Sequence, residues 1–122
     1  MFNKGDIIWT DRNNRKRENL RHPAIVWEEF VRPENDFYGI MLSHSRTGLG
    51  MKNIQMTIEH FEFFIPGQDP NRQLFVNQLF YKLDAWGPFF LVGKLSQAGL
   101  NFIQLNLTNI EPTVYSPNNL YG

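Results

Sequence analysis

Cysteine is absent from this chain of 122 residues, which excludes disulfides and thiolate metal sites and removes any sign of maturation in an oxidising compartment. Histidine is scarce as well. His22, His44 and His60 are the whole complement, and without cysteine they form no cluster at zinc-ligand spacing. Net charge is missing too: 12 Lys and Arg balance 12 Asp and Glu. A surface that attracts polyanions everywhere is thereby excluded, while local basic patches are not. No apolar run approaches the roughly 18 residues of a membrane span. The opening Met1-Phe2-Asn3-Lys4-Gly5-Asp6 lacks the basic-then-apolar order of a signal peptide, so the expectation is a cytoplasmic chain without membrane contact. No glycine-rich phosphate loop follows a strand-like segment, which disfavours nucleotide-binding enzymes. No motif for a cofactor appears, and no repeat.

Aromatic side chains are plentiful, at 15% of residues, with 11 Phe, 4 Tyr and 3 Trp in a chain that is 42% hydrophobic. That is apolar area enough to offset the entropy of ordering a single domain of this length. Asp6 to Thr10 is β-branched and aromatic, a first strand. Asp11 to Arg21 follows with five cations against two acids and reads as a mobile basic loop. Pro23 to Phe30 carries the run Ala24-Ile25-Val26-Trp27, a central strand with proline at its start. After turn residues 32–36, Phe37 to Ser43 returns as the third strand of a meander.

Beyond a polar stretch over 43–53, Ile54, Met56 and Ile58 alternate with polar residues, which predicts a half-buried strand. Pro66 to Asn71 is the clearest turn. Phe75, Leu79, Tyr81 and Leu83 then share one face of a strand, and Val76, Gln78, Phe80 and Lys82 the other. Asp84 to Pro88 breaks that pattern, and Phe89 to Val92 is a short strand or a buried connection. Ser96 can cap a helix through Leu100, Ile103 and Leu107, although Gly99 inside it costs about 1 kcal/mol relative to alanine. Short strands with one late helix favour a mainly β fold, a small barrel or sandwich, over alternating β/α units. The domain covers residues 1–110, with an irregular tail over 111–122.

Read in order, Lys4-Gly5-Asp6-Ile7-Ile8-Trp9, Arg21-His22-Pro23-Ala24-Ile25-Val26, Gly39-Ile40-Met41-Leu42-Ser43 and Leu91-Val92-Gly93-Lys94-Leu95-Ser96 resemble the layout of the MazF/PemK endoribonuclease toxins. The resemblance implies an SH3-like β-barrel with a C-terminal helix, a homodimer, metal-independent cleavage of single-stranded RNA, and neutralisation by a small antitoxin protein. Fold alone does not establish that activity. In the family an arginine directly precedes the proline of the second strand, whereas here His22 occupies that place and Arg21 lies one residue earlier.

RNA cleavage without metal needs a base for the ribose 2′-hydroxyl, a cation on the phosphate and a donor for the leaving oxygen. Arg21 can grip phosphate with two parallel hydrogen bonds, and His22 titrates near neutrality as an acid or base. Each has a plain alternative, a solvated loop charge for Arg21 and a packed strand-edge ring for His22. Neighbours in an extended segment point to opposite sides, so the two do not exchange roles freely. Ser43 stands where the resemblance places a hydroxyl, although a serine at a strand end is also ordinary turn chemistry. His44 is a second possible base, with no motif selecting it over His60. Arg12, Arg15, Lys16 and Arg17 form the best basic patch for an RNA backbone, or a solvated surface. Three functions compete: a toxin endoribonuclease, a catalytically inactive barrel that binds nucleic acid or a protein partner, and a structural assembly domain.

Overall fold

The computed structural model describes residues 2–9, 22–29, 37–48, 51–82 and 89–114. The strands in chain order are β1 (Asp6–Trp9), β2 (Ala24–Glu29), β3 (Phe37–Ser43), β4 (Thr47–Gly48), β5 (Met51–Lys52), β6 (Ile54–Gln55), β7 (Phe61–Phe63), β8 (Leu74–Phe75), β9 (Phe80–Lys82), β10 (Phe90–Leu95) and β11 (Thr113–Val114). One helix, α1 (Gln97–Asn106), follows β10. The main sheet runs β11-β9-β3-β2-β1-β10-β7, with β8 pairing both β3 and β6, while β4 and β5 form a separate small hairpin. Pairing is antiparallel throughout except between β11 and β9. The fold is mainly β, a curled half-barrel sheet with a late helix.

The meander β1-β2-β3 forms because its residues are buried on both faces. Ile7, Ile25, Trp27, Ile40 and Leu42 face an interior shared with Met56, Phe61, Phe75, Leu95 and Ile103 of α1. The alternate residues Ile8, Ala24, Val26, Phe37 and Met41 join Val76 and Phe80 on the opposite side, with Phe2 and Phe89 packed against them. A strand covered twice reads as a continuous apolar run, which is the pattern of Ala24-Ile25-Val26-Trp27. Register shifts at Ile7/Ile8, Val26/Glu28 and Lys94/Leu95 bend the sheet as β-bulges do. The segment Lys4-Gly5-Asp6 has its own local work. Gly5 takes φ +93°, a region open to glycine without penalty. The Asp6 carboxylate accepts the Asn3 N–H at 2.8 Å, and Lys4 Nζ sits 4.3 Å from the Trp27 ring centre.

Two expected strands are interrupted. After Gln55 the chain turns at Thr57 into a 3-10 turn over Ile58–His60, so Met56 is fully buried while Ile58 is 61% exposed. The cause is reciprocal bonding: His60 N–H donates to the Thr57 carbonyl and Thr57 N–H donates to His60 Nδ1 at 3.0 Å. The run from Phe75 is likewise divided into β8 and β9, both antiparallel to β3. Phe75 and Leu79 lie in one core cluster and Val76 and Phe80 in the other, on opposite sides of the strand. Between them Asn77 exchanges hydrogen bonds with Thr108 through both ends of its amide. Gln78 Nε2 donates to the Glu111 carbonyl at 2.7 Å. These bonds draw the chain after α1 alongside, and β11 then pairs β9 in parallel. Of the segment Phe89 to Val92, the residues from Phe90 on belong to the six-residue β10, and Phe90 and Leu91 are about half exposed rather than buried. The break at 84–88 and Leu83 lie outside the described residues.

Helix α1 begins as its sequence dictates: the Ser96 hydroxyl accepts the Gly99 N–H at 3.1 Å and donates to the Glu59 carbonyl at 2.6 Å. Ile103 is fully buried, a contribution of about 1.5–3 kcal/mol for a side chain of that size. Gly99 is required rather than tolerated, because a Cβ there would overlap the His60 carbonyl oxygen. On an exposed helix Gly99→Ala would stabilise by about 1 kcal/mol. Here it is expected to destabilise by about 1–3 kcal/mol through overpacking, seen as a lower urea midpoint. A raised midpoint would show that α1 does not rest on the 3-10 turn.

Candidate functional site

Because β1 and β3 both run antiparallel to β2, the end of β1, the start of β2 and the end of β3 lie at one end of the sheet. The register Ala24↔Met41, continued by the bond from Leu42 N–H to the Pro23 carbonyl at 3.0 Å, brings His22 alongside Ser43. A cavity of about 230 Å³ opens there, lined by Trp9, His22, Pro23, Leu42, Ser43, His44, Ser45, Gln68 and Gln73. His22 is half-buried and His44 exposed. The Ser43 hydroxyl oxygen accepts the Ser45 N–H at 3.0 Å, the turn chemistry expected of a serine at a strand end. Its own proton is left to donate elsewhere.

Gln73 is the buried support of this site, only 2% exposed. Its Nε2 lies 3.0 Å from His44 Nε2 and 3.4 Å from the Asp69 carbonyl. A carbonyl can only accept, so the amide is assigned with its NH2 group toward both. His44 Nε2 therefore accepts, and the neutral ring carries its proton on Nδ1.

A second cavity, of about 330 Å³, shares His44 with the first and is lined also by Arg46, Gln55, Asn71, Arg72 and Leu74. Among the described residues no carboxylate lines either cavity. Both arginines are exposed, and among the described residues neither is ion-paired, the salt bridge there being that of Lys94 with Glu62. Comparison with protein-family models, curated proteins and solved structures finds no match. The chemistry of the site rests on its own residues.

Of the residues singled out by sequence, His22 and Ser43 come together at the first cavity. Arg21, Arg12, Arg15, Lys16 and Arg17 lie outside the described residues. The choice between His44 and His60, open in the sequence, is decided by position. His60 is buried at 8% exposure, its Nδ1 receives the Thr57 N–H, and its ring stacks on Phe102 at 4.2 Å, which makes it a structural residue. His44 stands at the junction of the two cavities. Sequence reading missed Gln73, Arg46 and Arg72. Only Gln73 left a trace, as a polar residue joining the strongest turn to the apolar run Leu74-Phe75-Val76. Among the described residues no group of three His, Cys, Asp or Glu converges as metal ligands would.

Burial lowers the pKa of His60 from its ordinary 6.5, against a smaller opposing pull from the Glu59 carboxylate. The folded protein thus binds fewer protons than the unfolded chain below pH 6.5. This stability is present in full above 6.5 and is lost as pH falls from 6.5 toward the lowered folded value. Protonation also removes the acceptor of the Thr57 bond. Urea unfolding of wild type and His60→Asn across this window should show a steeper acid loss in wild type. Equal slopes would remove His60 as the cause.

Proposed function

We propose that this chain is a metal-independent endoribonuclease acting on single-stranded RNA in the cytoplasm, the toxin of a toxin–antitoxin pair of the MazF/PemK kind. The observation that carries the reading is the meeting of His22, Ser43 and His44 on one cavity that no carboxylate lines among the described residues. Two imidazoles can divide the proton work. One accepts the 2′-hydroxyl proton, O2′ attacks phosphorus, and the P–O5′ bond breaks as the other ring protonates O5′, leaving a 2′,3′-cyclic phosphate and a 5′-hydroxyl. The donor must be an imidazolium, so the exposed His44 would act in its protonated form and His22 as the neutral base. Ser43 can donate to a phosphate oxygen. Arg21, next to His22 in sequence, and the basic residues Arg12, Arg15, Lys16 and Arg17 would supply cations along the strand.

The partners in this reading are RNA, a small antitoxin protein and a second copy of the chain. Half-exposed Phe63, Phe90 and Leu91 on the neighbouring strands β7 and β10 supply apolar surface for a symmetric dimer. Light scattering at micromolar protein should give twice the chain mass, and a strictly monomeric mass would remove the dimer. The second reading is a non-catalytic module binding nucleic acid or a protein. It is favoured by the histidine standing where the resemblance calls for arginine, and by the commitment of the Ser43 oxygen to a turn.

Purified protein is expected to cut single-stranded RNA in the presence of a chelator. His22→Ala and His44→Ala should each slow cutting by about two to four orders of magnitude, and each should remove one ionisation from the pH–rate profile. Wild-type protein that binds a sequence-diverse RNA pool and leaves it intact would hand the case to the non-catalytic module.

A further inference from the structure

The 330 Å³ cavity shares His44 with the reaction described above, but its other lining residues have no part in that reaction. Arg46 and Arg72 both line it, and both come from backbone that is pinned. Arg46 follows a turn in which Asn53 N–H donates to the Arg46 carbonyl at 2.8 Å and Asn53 Nδ2 donates to the Ser45 carbonyl at 2.8 Å. Arg72 ends the 3-10 turn Pro70–Arg72, started by Asp69, whose carboxylate accepts the Asn71 N–H at 2.9 Å. Gln55 Nε2 ties the wall together by donating to the carbonyls of Met56, Asn71 and Gln73. The Asn71 side-chain oxygen takes the Ile58 N–H at 2.8 Å, which leaves its NH2 group as the part able to serve a ligand. The lining among the described residues is thus two arginines, an imidazole, the amides of Gln55 and Asn71, and Leu74, with no carboxylate.

We propose that this cavity is a phosphate subsite for single-stranded nucleic acid. Arg46 and Arg72 hold a backbone phosphate next to the one that reaches His22, Ser43 and His44. Guanidinium forks match phosphate oxygens bidentately, and fixed backbones reduce the ordering cost of the grip. A polymer is favoured over a lone anion because the two cavities adjoin at His44, so successive phosphates of one strand can occupy both. The subsite goes beyond the ribonuclease reading and does not require cleavage. It sets affinity and the path of the strand, and reads no base.

The test is equilibrium binding of a 2′-deoxy hexanucleotide, which lacks the attacking hydroxyl and so reports binding apart from cutting. Arg46→Gln and Arg72→Gln should each weaken it about tenfold or more at low salt. The slope of log affinity against log salt should become shallower by about 0.7, the value for a single phosphate that is no longer neutralised. Lys94→Gln, far along β10 and paired with Glu62, should change neither. Inorganic phosphate and a 5′-mononucleotide, added as competitors, should displace the hexanucleotide only at much higher concentration. Unchanged affinity and slope in both arginine variants would overturn the subsite, and so would equal competition by free phosphate, which would assign the cavity to a small anion. RNA cutting with unaltered KM in the variants would sink the subsite while sparing the ribonuclease. Arginine-dependent binding without any cutting would do the reverse.

Discussion

Burial of the β1-β2-β3 ladder on both faces is the constraint from which the rest of the molecule follows. Ile7, Ile25 and Ile40 fill one side, and Ile8, Val26 and Met41 fill the other. Where both faces are covered, as over Ala24 to Trp27, a strand is apolar at every residue, so polar side chains gather toward the strand ends, as Asp6, Glu28 and Ser43 do. At one end of the ladder that rule puts His22 just before β2 and Ser43 and His44 at the close of β3. The site is a consequence of where the core ends.

Loops at that end need support that the core cannot give, and amides supply it. Gln73 holds His44, Gln55 joins three carbonyls, and Asn53 ties the turn after β3. At the far side of β3, Asn77 and Gln78 fasten the chain that follows α1. An amide donates and accepts at once without carrying charge. It can therefore be buried beside a cationic cavity without neutralising it, which a carboxylate could not. The Asn53 Oδ1 atom is the one buried side-chain oxygen left without a partner among the described residues.

Continuous apolar runs and sharp turns made much of the fold legible in the sequence. Ala24 to Trp27 declared a central strand because it had no polar alternation, and Ser96 declared the start of α1 as a cap residue ahead of Leu100, Ile103 and Leu107. What stayed hidden depended on neighbours distant in the chain. Period-two alternation at Ile54, Met56 and Ile58 implied a longer strand, but the ring nitrogen of His60 ends it at Gln55. Gly99 looked like a propensity cost, whereas the His60 carbonyl fixes its identity. The site was half visible. His22 and Ser43 stood out by residue type at strand ends, while Gln73, Arg46 and Arg72 carried no local mark of a site and gain meaning only from the cavities they share with His44.

The zero net charge takes on a different sense beside these cavities. A neutral chain has little long-range field to draw a polyanion in, and at physiological salt a field is screened beyond about 8 Å in any case. Attraction must then act at close range. A cavity lined by two arginines, with no carboxylate and no ion pair to them among the described residues, has that property: it is strong over a few ångströms and silent at a distance. It would hold a strand already delivered, without gathering nucleic acid indiscriminately. Of the acids, Glu62 lies beside Lys94, and the Asp69 carboxylate, though next to the cavity, caps its own turn by accepting the Asn71 N–H. Overall neutrality and local cationic character are therefore compatible, and the distribution of charge over the fold carries more information about a ligand than its sum.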